Sequence, residues 1–263
     1  MTEMEKGIGA SNCLWLSITI SLLLSVSDRA NASPKLLLYF NDRPPYLEVG
    51  SDGAVHGLTA TPAAKALEKA GIPFQWKKAS AEQQLAAINR NAEPACLVGW
   101  FKRPERQLLG KFSVPIYAGS RMVALSLSSN PRLIDRMRVV DLVKSTELTM
   151  LAKSGYSYGN ILDQHIRNFS PKQEFATGEN INMLQMLIHG RADYFLVSEE
   201  EAVALIERSG RSKHDFRLTY FVEGIKEDTR HFWCTRQTPD GLILKLNGVL
   251  QSTVARQRKQ ATS

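Results

Sequence analysis

Residues 61–99 read TPAAKALEKAGIPFQWKKASAEQQLAAINRNAEPACLVG, and this stretch decides the fold. Thr61 followed by Pro62 predicts a helix start, with Thr61 as N-cap and Pro62 at the first helical position, and Gly71 a stop. Phe74 to Lys78 then reads as a strand. Ser80 and Gln83 stand three apart, the spacing of a capping box, before a helix over Ala81 to Arg90. Ala95 to Gly99 is a short apolar run of strand length. Upstream, Leu36 to Phe40 (LLLYF) is another buried strand. The order β-α-β-α-β predicts a parallel sheet with helices on its faces. Ligands of such sheets sit beyond the C-terminal strand ends, which points to the loops Asn41–Tyr46 and Trp100–Arg106.

A second α/β series follows. Strands are expected at Met122–Leu127, Glu147–Leu151, Asp193–Val197, Leu218–Val222 and His231–Thr235. Helices are expected at Val139–Lys144, Tyr158–Arg167, Glu199–Arg208 and Leu242–Val254. Another helix is capped by Asn180, turns Ile181, Leu184, Leu187 and Ile188 inward, and ends at Gly190. Two such series in one chain predict two lobes with a cleft between them.

The first thirty-two residues read differently. Cys13 to Val26 is an apolar run of fourteen residues. A membrane span needs about twenty, and a signal-peptide core roughly seven to fifteen. Ala30-Asn31-Ala32 offers small residues at the two positions a signal peptidase reads, so residues 1–32 are expected to be a cleaved signal peptide, leaving Ser33 first. The flank before the run is not clearly positive, and Met4 is an alternative start. The expected compartment is the periplasm. Losing residues 1–32, with Lys6 and Arg29 against Glu3, Glu5 and Asp28, takes the formal charge from +7 to +8. The basic residues are scattered, with no dense run and no nucleic-acid motif, so no nucleic acid is expected as a partner. Cys96 and Cys234 remain, either paired or buried as small hydrophobes.

No catalytic signature stands out. The G-x-S-x-G elbow, HExxH and phosphate loops are absent. His56, His165, His189, His214 and His231 are scattered singly, without metal-ligand spacing. The run Glu199-Glu200-Glu201 complements a helix dipole. No catalytic residue, metal or cofactor is expected.

Four landmarks then stand in order: Arg43-Pro44-Pro45-Tyr46; Asp52-Gly53-Ala54-Val55-His56-Gly57-Leu58; Pro104-Glu105-Arg106 with Phe112-Ser113-Val114-Pro115-Ile116-Tyr117; and Gly190-Arg191-Ala192-Asp193. With them the chain resembles, over about Leu36 to Ala255, the family 3 extracellular solute-binding proteins, the periplasmic receptors of amino-acid-type ABC importers. The resemblance implies an α/β periplasmic-binding-protein-like type II fold: two lobes, each with a mostly parallel five-stranded sheet flanked by helices, and a two-strand hinge. One lobe would be 33–118 plus 225–263, the other 119–224, with hinge strands near Tyr117–Arg121 and Phe221–Gly224. It sets Cys96 and Cys234 on neighbouring strands, where a disulfide can form.

The resemblance also implies a ligand set. Arg106 matches the arginine that forks onto a ligand carboxylate, against a plain ion pair with Glu105. Ser198 falls where amino-acid receptors carry an acid for the ligand ammonium, with Glu199 beside it as a substitute. Either Glu199 takes that role or the ligand lacks a standard α-amino group. Arg43 falls near the position of an aromatic clamp, leaving Tyr46, Trp100, Phe101 or Tyr117 to stack on a ligand. Ser157, after Gly155, suits either an anion contact or an N-cap. Asp193 reads as structural. The implied function is binding of a small, carboxylate-bearing solute by a monomer, for an inner-membrane ABC permease or a sensor. A dehydratase-like lyase on the same fold and a receptor-like protein acting through protein contacts are the alternatives.

Overall fold

The computed structural model describes residues 35–261. The expected signal peptide lies outside them. The described residues fall in one compact unit.

The first part of the chain runs β1 (Leu36–Phe40), the hairpin β2 (Glu48–Val49) and β3 (Val55–His56), α1 (Ala60–Lys69), β4 (Phe74–Lys78), α2 (Ala81–Arg90), β5 (Ala95–Phe101), α3 (Pro104–Gln107) and β6 (Lys111–Phe112). The middle runs β7 (Met122–Leu127), β8 (Arg136–Met137), α4 (Val139–Val143), β9 (Met150–Lys153), α5 (Asn160–Phe169), β10 (Gln173–Ala176), α6 (Asn180–Ile188), β11 (Tyr194–Ser198), α7 (Glu199–Arg208) and β12 (Phe216–Phe221). The chain closes with β13 (Arg230–Cys234) and α8 (Asp240–Ala261).

Two main sheets result. One has the order β4-β1-β5-β13-β6, with β4, β1 and β5 parallel and β13 antiparallel to β5 and β6. The other has the order β10-β9-β11-β7-β12-β8. It holds six strands where five were expected, because the short β8 adds at its edge. β7 runs antiparallel to both β11 and β12, so both sheets are mixed. Period-two alternation fills both faces of each sheet. Leu36, Leu38, Phe40, Cys96, Val98 and Phe232 point into the core under α1 and α8, while Tyr39, Leu97 and Trp233 point to the opposite face. In the second sheet Met122 and Leu196 lie on one face, and Val123 and Val197 on the other.

Several expected boundaries move. α1 starts at Ala60, with Thr59 at the cap position and no side-chain cap. The backbone N–H groups of Thr59 and Ala60 are instead held by the Tyr46 carbonyl at 3.1 Å. Pro62 falls in the first turn, where its missing N–H costs nothing. The Ser80–Gln83 capping box forms as predicted. α6 is capped by Glu179, not Asn180, whose side chain is buried and takes polar partners. β9 begins at Met150, three residues later than expected. The crossing segments pair through Tyr117↔Arg230 and Arg121↔Lys226, so the second lies at 225–230. The expected Phe221–Gly224 is the end of β12 followed by a turn.

A bulge shapes the end of β5. Phe232 pairs with Val98 and His231 with Trp100, which leaves Gly99 unpaired at φ +87°. That dihedral suits glycine, and a Cβ there would sit 3.3 Å from the Thr59 side chain. The bulge re-aims Trp100 and Phe101 at the strand's C-terminal end.

Cys96 and Cys234 face each other across β5 and β13 and form a disulfide, closing 138 residues of chain. Both are fully buried. C96A/C234A should lose about 3–4 kcal/mol of stability relative to the oxidised protein. Urea unfolding with and without reductant measures this.

Candidate functional site

The C-terminal ends of β1 and β5 face the second sheet across a crevice. Its outer part is lined by Asn41, Arg43, Trp100, Phe101, Arg106, Tyr156, Ser157 and Arg230, with Leu47, Val98 and Gly99. It encloses about 410 Å³, counting the open mouth. An inner part continues past Arg43, Tyr156 and Ser157 to Lys153, Asn180 and Glu227.

Arg106 stands on the one-turn helix α3, which Pro104 opens. It is 9% exposed. Its guanidinium lies 4.8 Å from the Trp100 ring centre and 5.7 Å from that of Trp233. Nη1 donates to the Phe101 carbonyl at 3.0 Å, and Nη2 donates across the crevice to the Gly155 carbonyl at 3.2 Å. The alternative ion pair with Glu105 does not form; no carboxylate among the described residues lies within ion-pair range. Burial, with the neighbouring Arg103 charge behind it, pulls its pKa down to about 10. Trp100 is fixed by its own indole N–H, which donates to Gln84 at 2.8 Å.

Arg43 leaves the loop after β1 and donates twice to Glu201 of α7, at 2.8 and 2.7 Å. It lies over the rings of Tyr156 and Tyr46. Glu201 is fully buried and also accepts from Asn180, whose carbonyl oxygen accepts from Lys153 at 2.8 Å. Burial alone would raise the Glu201 carboxyl, but Arg43 beside it, reinforced by Arg230 and Asn180, brings it below the usual carboxylate range. Further ties cross the crevice. Arg103 donates to Ser157 at 2.8 Å and Asn41 donates to Glu179 at 3.2 Å, while on its own side Arg103 pairs with Asp228 at 2.6 Å.

Of the residues singled out from sequence, Arg106, Arg43, Trp100, Phe101 and Ser157 meet in the outer crevice. Ser157 is already engaged by Arg103 and by Asp163, and the N-cap of α5 is Gly159. The others do not line the outer crevice. Tyr46 is fully buried, and its hydroxyl bonds Ser198 and Glu200. It supports Arg230, 3.7 Å over its ring, and does not face the crevice. Tyr117 packs edge-on to Tyr46 and donates to Glu200 at 3.1 Å. Ser198 caps α7, accepting from the Glu201 N–H. Glu199 points elsewhere, pairing with Arg121 and accepting from Tyr220. A helix turns about 100° per residue, so of three consecutive glutamates only Glu201 reaches Arg43. Asp193 is structural, bonding the Thr149 N–H at 2.7 Å and Asn130 at 2.9 Å. Sequence reasoning missed Arg230, Glu201, Glu227, Asn41 and Tyr156. Arg230 and Glu227, three apart and ion-paired, lie in the crossing segment that the sequence misplaced.

Glu201→Ala should cost about 3–5 kcal/mol, because it leaves the Arg43 charge buried without its partner. The pH dependence follows from the lowered carboxyl. A group whose folded pKa lies below its unfolded value of about 4.3 stabilises above that pH, and the contribution is lost as pH falls through the folded value. Glu227, raised by burial against the opposing pull of Arg230, has the opposite slope. The difference between native protein and Glu201→Gln isolates the first term. It should be largest at neutral pH and shrink below about pH 4, as read from melting curves.

By sequence, the chain matches no family model and no curated protein. Solved structures do match. A substrate-binding protein of an amino acid ABC transporter shares 18% identity at a TM-score of 0.66, over 85% of this chain and 94% of that one. An ancestral arginine-binding protein bound to arginine shares 15% at 0.66, over 84% and 92%. The amino acid ABC transporter substrate-binding protein AbpA from Streptococcus pneumoniae, bound to L-arginine, shares 17% at 0.65, over 85% and 90%. The fold is thus that of the two-lobe, type II periplasmic binding proteins.

Proposed function

We propose that this chain is a solute-binding protein that closes two lobes, 33–118 with 225–263 and 119–224, around a small carboxylate-bearing molecule. It holds that molecule without transforming it. One observation carries the reading: Arg106 is a buried guanidinium with no carboxylate partner, set against aromatic rings in a crevice. Two of its five N–H donors are used, both on neutral carbonyls. A buried charge of this kind is costly alone and favourable once a planar anion forks onto it.

The rest of the site fits this role. Trp100 and Phe101 give apolar walls, and Tyr156 and Ser157 give neutral polar groups on the facing side. Export by residues 1–32 would put the protein in the periplasm. There a monomer would hand its ligand to an inner-membrane ABC permease or a sensor. No helix among the described residues is long and apolar enough to cross a membrane. A second reading draws on the ties that already bridge the crevice, Arg43–Glu201, Arg103–Ser157 and Asn41–Glu179. In it the closed body acts by contacting another protein.

A thermal-shift screen over amino acids, polyamines, dicarboxylates and small sugars separates the two readings. Ligand at a hundred times its Kd should stabilise the protein by about 2.7 kcal/mol. No shift with any compound would favour the protein-contact reading. Arg106→Ala should weaken the carboxylate ligand that emerges by about 2–5 kcal/mol in calorimetry, and unchanged affinity would reject the role of Arg106.

A further inference from the structure

We infer that the molecule held at Arg106 is an organic anion without an ammonium group, such as a 2-oxo acid, a 2-hydroxy acid or a dicarboxylate. The inference rests on the solute-binding reading and narrows its substrate class. Its ground is the distribution of charge around the crevice. The outer crevice is lined by three guanidinium groups, Arg43, Arg106 and Arg230, and by no carboxylate. The single acid lining the inner crevice is Glu227, which is paired with Arg230 and lies beside the Tyr46 hydroxyl.

The acids just behind the walls are engaged as well, Glu179 accepting from Asn41 at 3.2 Å and lying 3.9 Å from Lys153. Glu201 takes both donors of Arg43 and is fully buried. Asp163 accepts from Ser157 and, at 2.7 Å, from the Tyr158 N–H. Asp228 pairs with Arg103 at 2.6 Å, and Glu200 accepts from Tyr46 at 2.9 Å and Tyr117 at 3.1 Å. Turning Glu201, Glu227 or Asp228 toward a ligand cation would strand a buried arginine, which costs more than the new pair returns. An ammonium here would meet the unneutralised Arg106 charge and no carboxylate in the outer lining, the arrangement that specificity by repulsion produces. The Tyr156 hydroxyl on the facing wall accepts from Asn41 at 3.3 Å and keeps its proton for a carbonyl or hydroxyl at the ligand's second carbon.

The test is calorimetry on the full mature chain with matched pairs that differ at the amino group. The pairs are L-aspartate with L-malate, L-glutamate with 2-oxoglutarate, L-alanine with pyruvate, and L-arginine with 5-guanidino-2-oxopentanoate. The expected result is binding of at least one deaminated member tenfold or more tighter than its amino counterpart, lost in Arg106→Ala. A ratio below tenfold, or a preference for the amino acid, overturns the inference while the carboxylate site stands. Failure of every compound to bind, or binding that survives in Arg106→Ala, removes the underlying reading along with it.

Discussion

The Arg43–Glu201 pair joins a loop of the first sheet to a helix of the second across 158 residues of sequence, and the crevice takes its form from that pair. Glu201 is withdrawn from water and Arg43 largely so, and neither is readily tolerated without the other. Around them the polar groups are closed into a line. Tyr156 and Tyr46 offer ring faces to Arg43, Asn180 donates to Glu201, and Lys153 donates to Asn180. Each member orients the next, and in a low-dielectric interior such a line strengthens its own bonds. The result is a rigid back wall that leaves Arg106 as the charge with capacity to spare.

Arg106 is held by a shell that neutralises none of its charge. Carbonyl oxygens from Phe101 and Gly155 fix its plane, and the Trp100 and Trp233 rings bound its faces. Gln84 in turn fixes Trp100, and Phe112 stacks on Trp233 at 5.5 Å. The bulge at Gly99 aims this group toward the crevice. Precision of this kind comes from the supporting residues more than from the arginine itself.

Much of the architecture was legible in the sequence. The capping box at Ser80, the strand Phe74–Lys78, the apolar run Met122–Leu127 and helix Glu199–Arg208 have local signals strong enough to fix their bounds. Arg106 could be singled out because a motif carries it. The polar partners were not legible, because Glu201, Arg230 and Asn41 acquire their roles only when segments far apart in sequence meet. Glu199 shows the limit well: adjacent to Ser198, it was the natural substitute, but helical rotation hands the inward position to Glu201. The misplaced second crossing segment has a similar origin. Residues 225–230 pair through isolated bridges, which leave no periodic pattern to read.

The bond between Cys96 and Cys234 gives the chain the topology of a ring with a tail at each end. Every strand of the second sheet, from Met122 to Phe221, lies on that ring. A protease that nicks any loop between residues 97 and 233 therefore opens the ring without freeing a fragment. The two ends stay fastened in the core of the first sheet, and the cut protein would still migrate as one molecule until reduced.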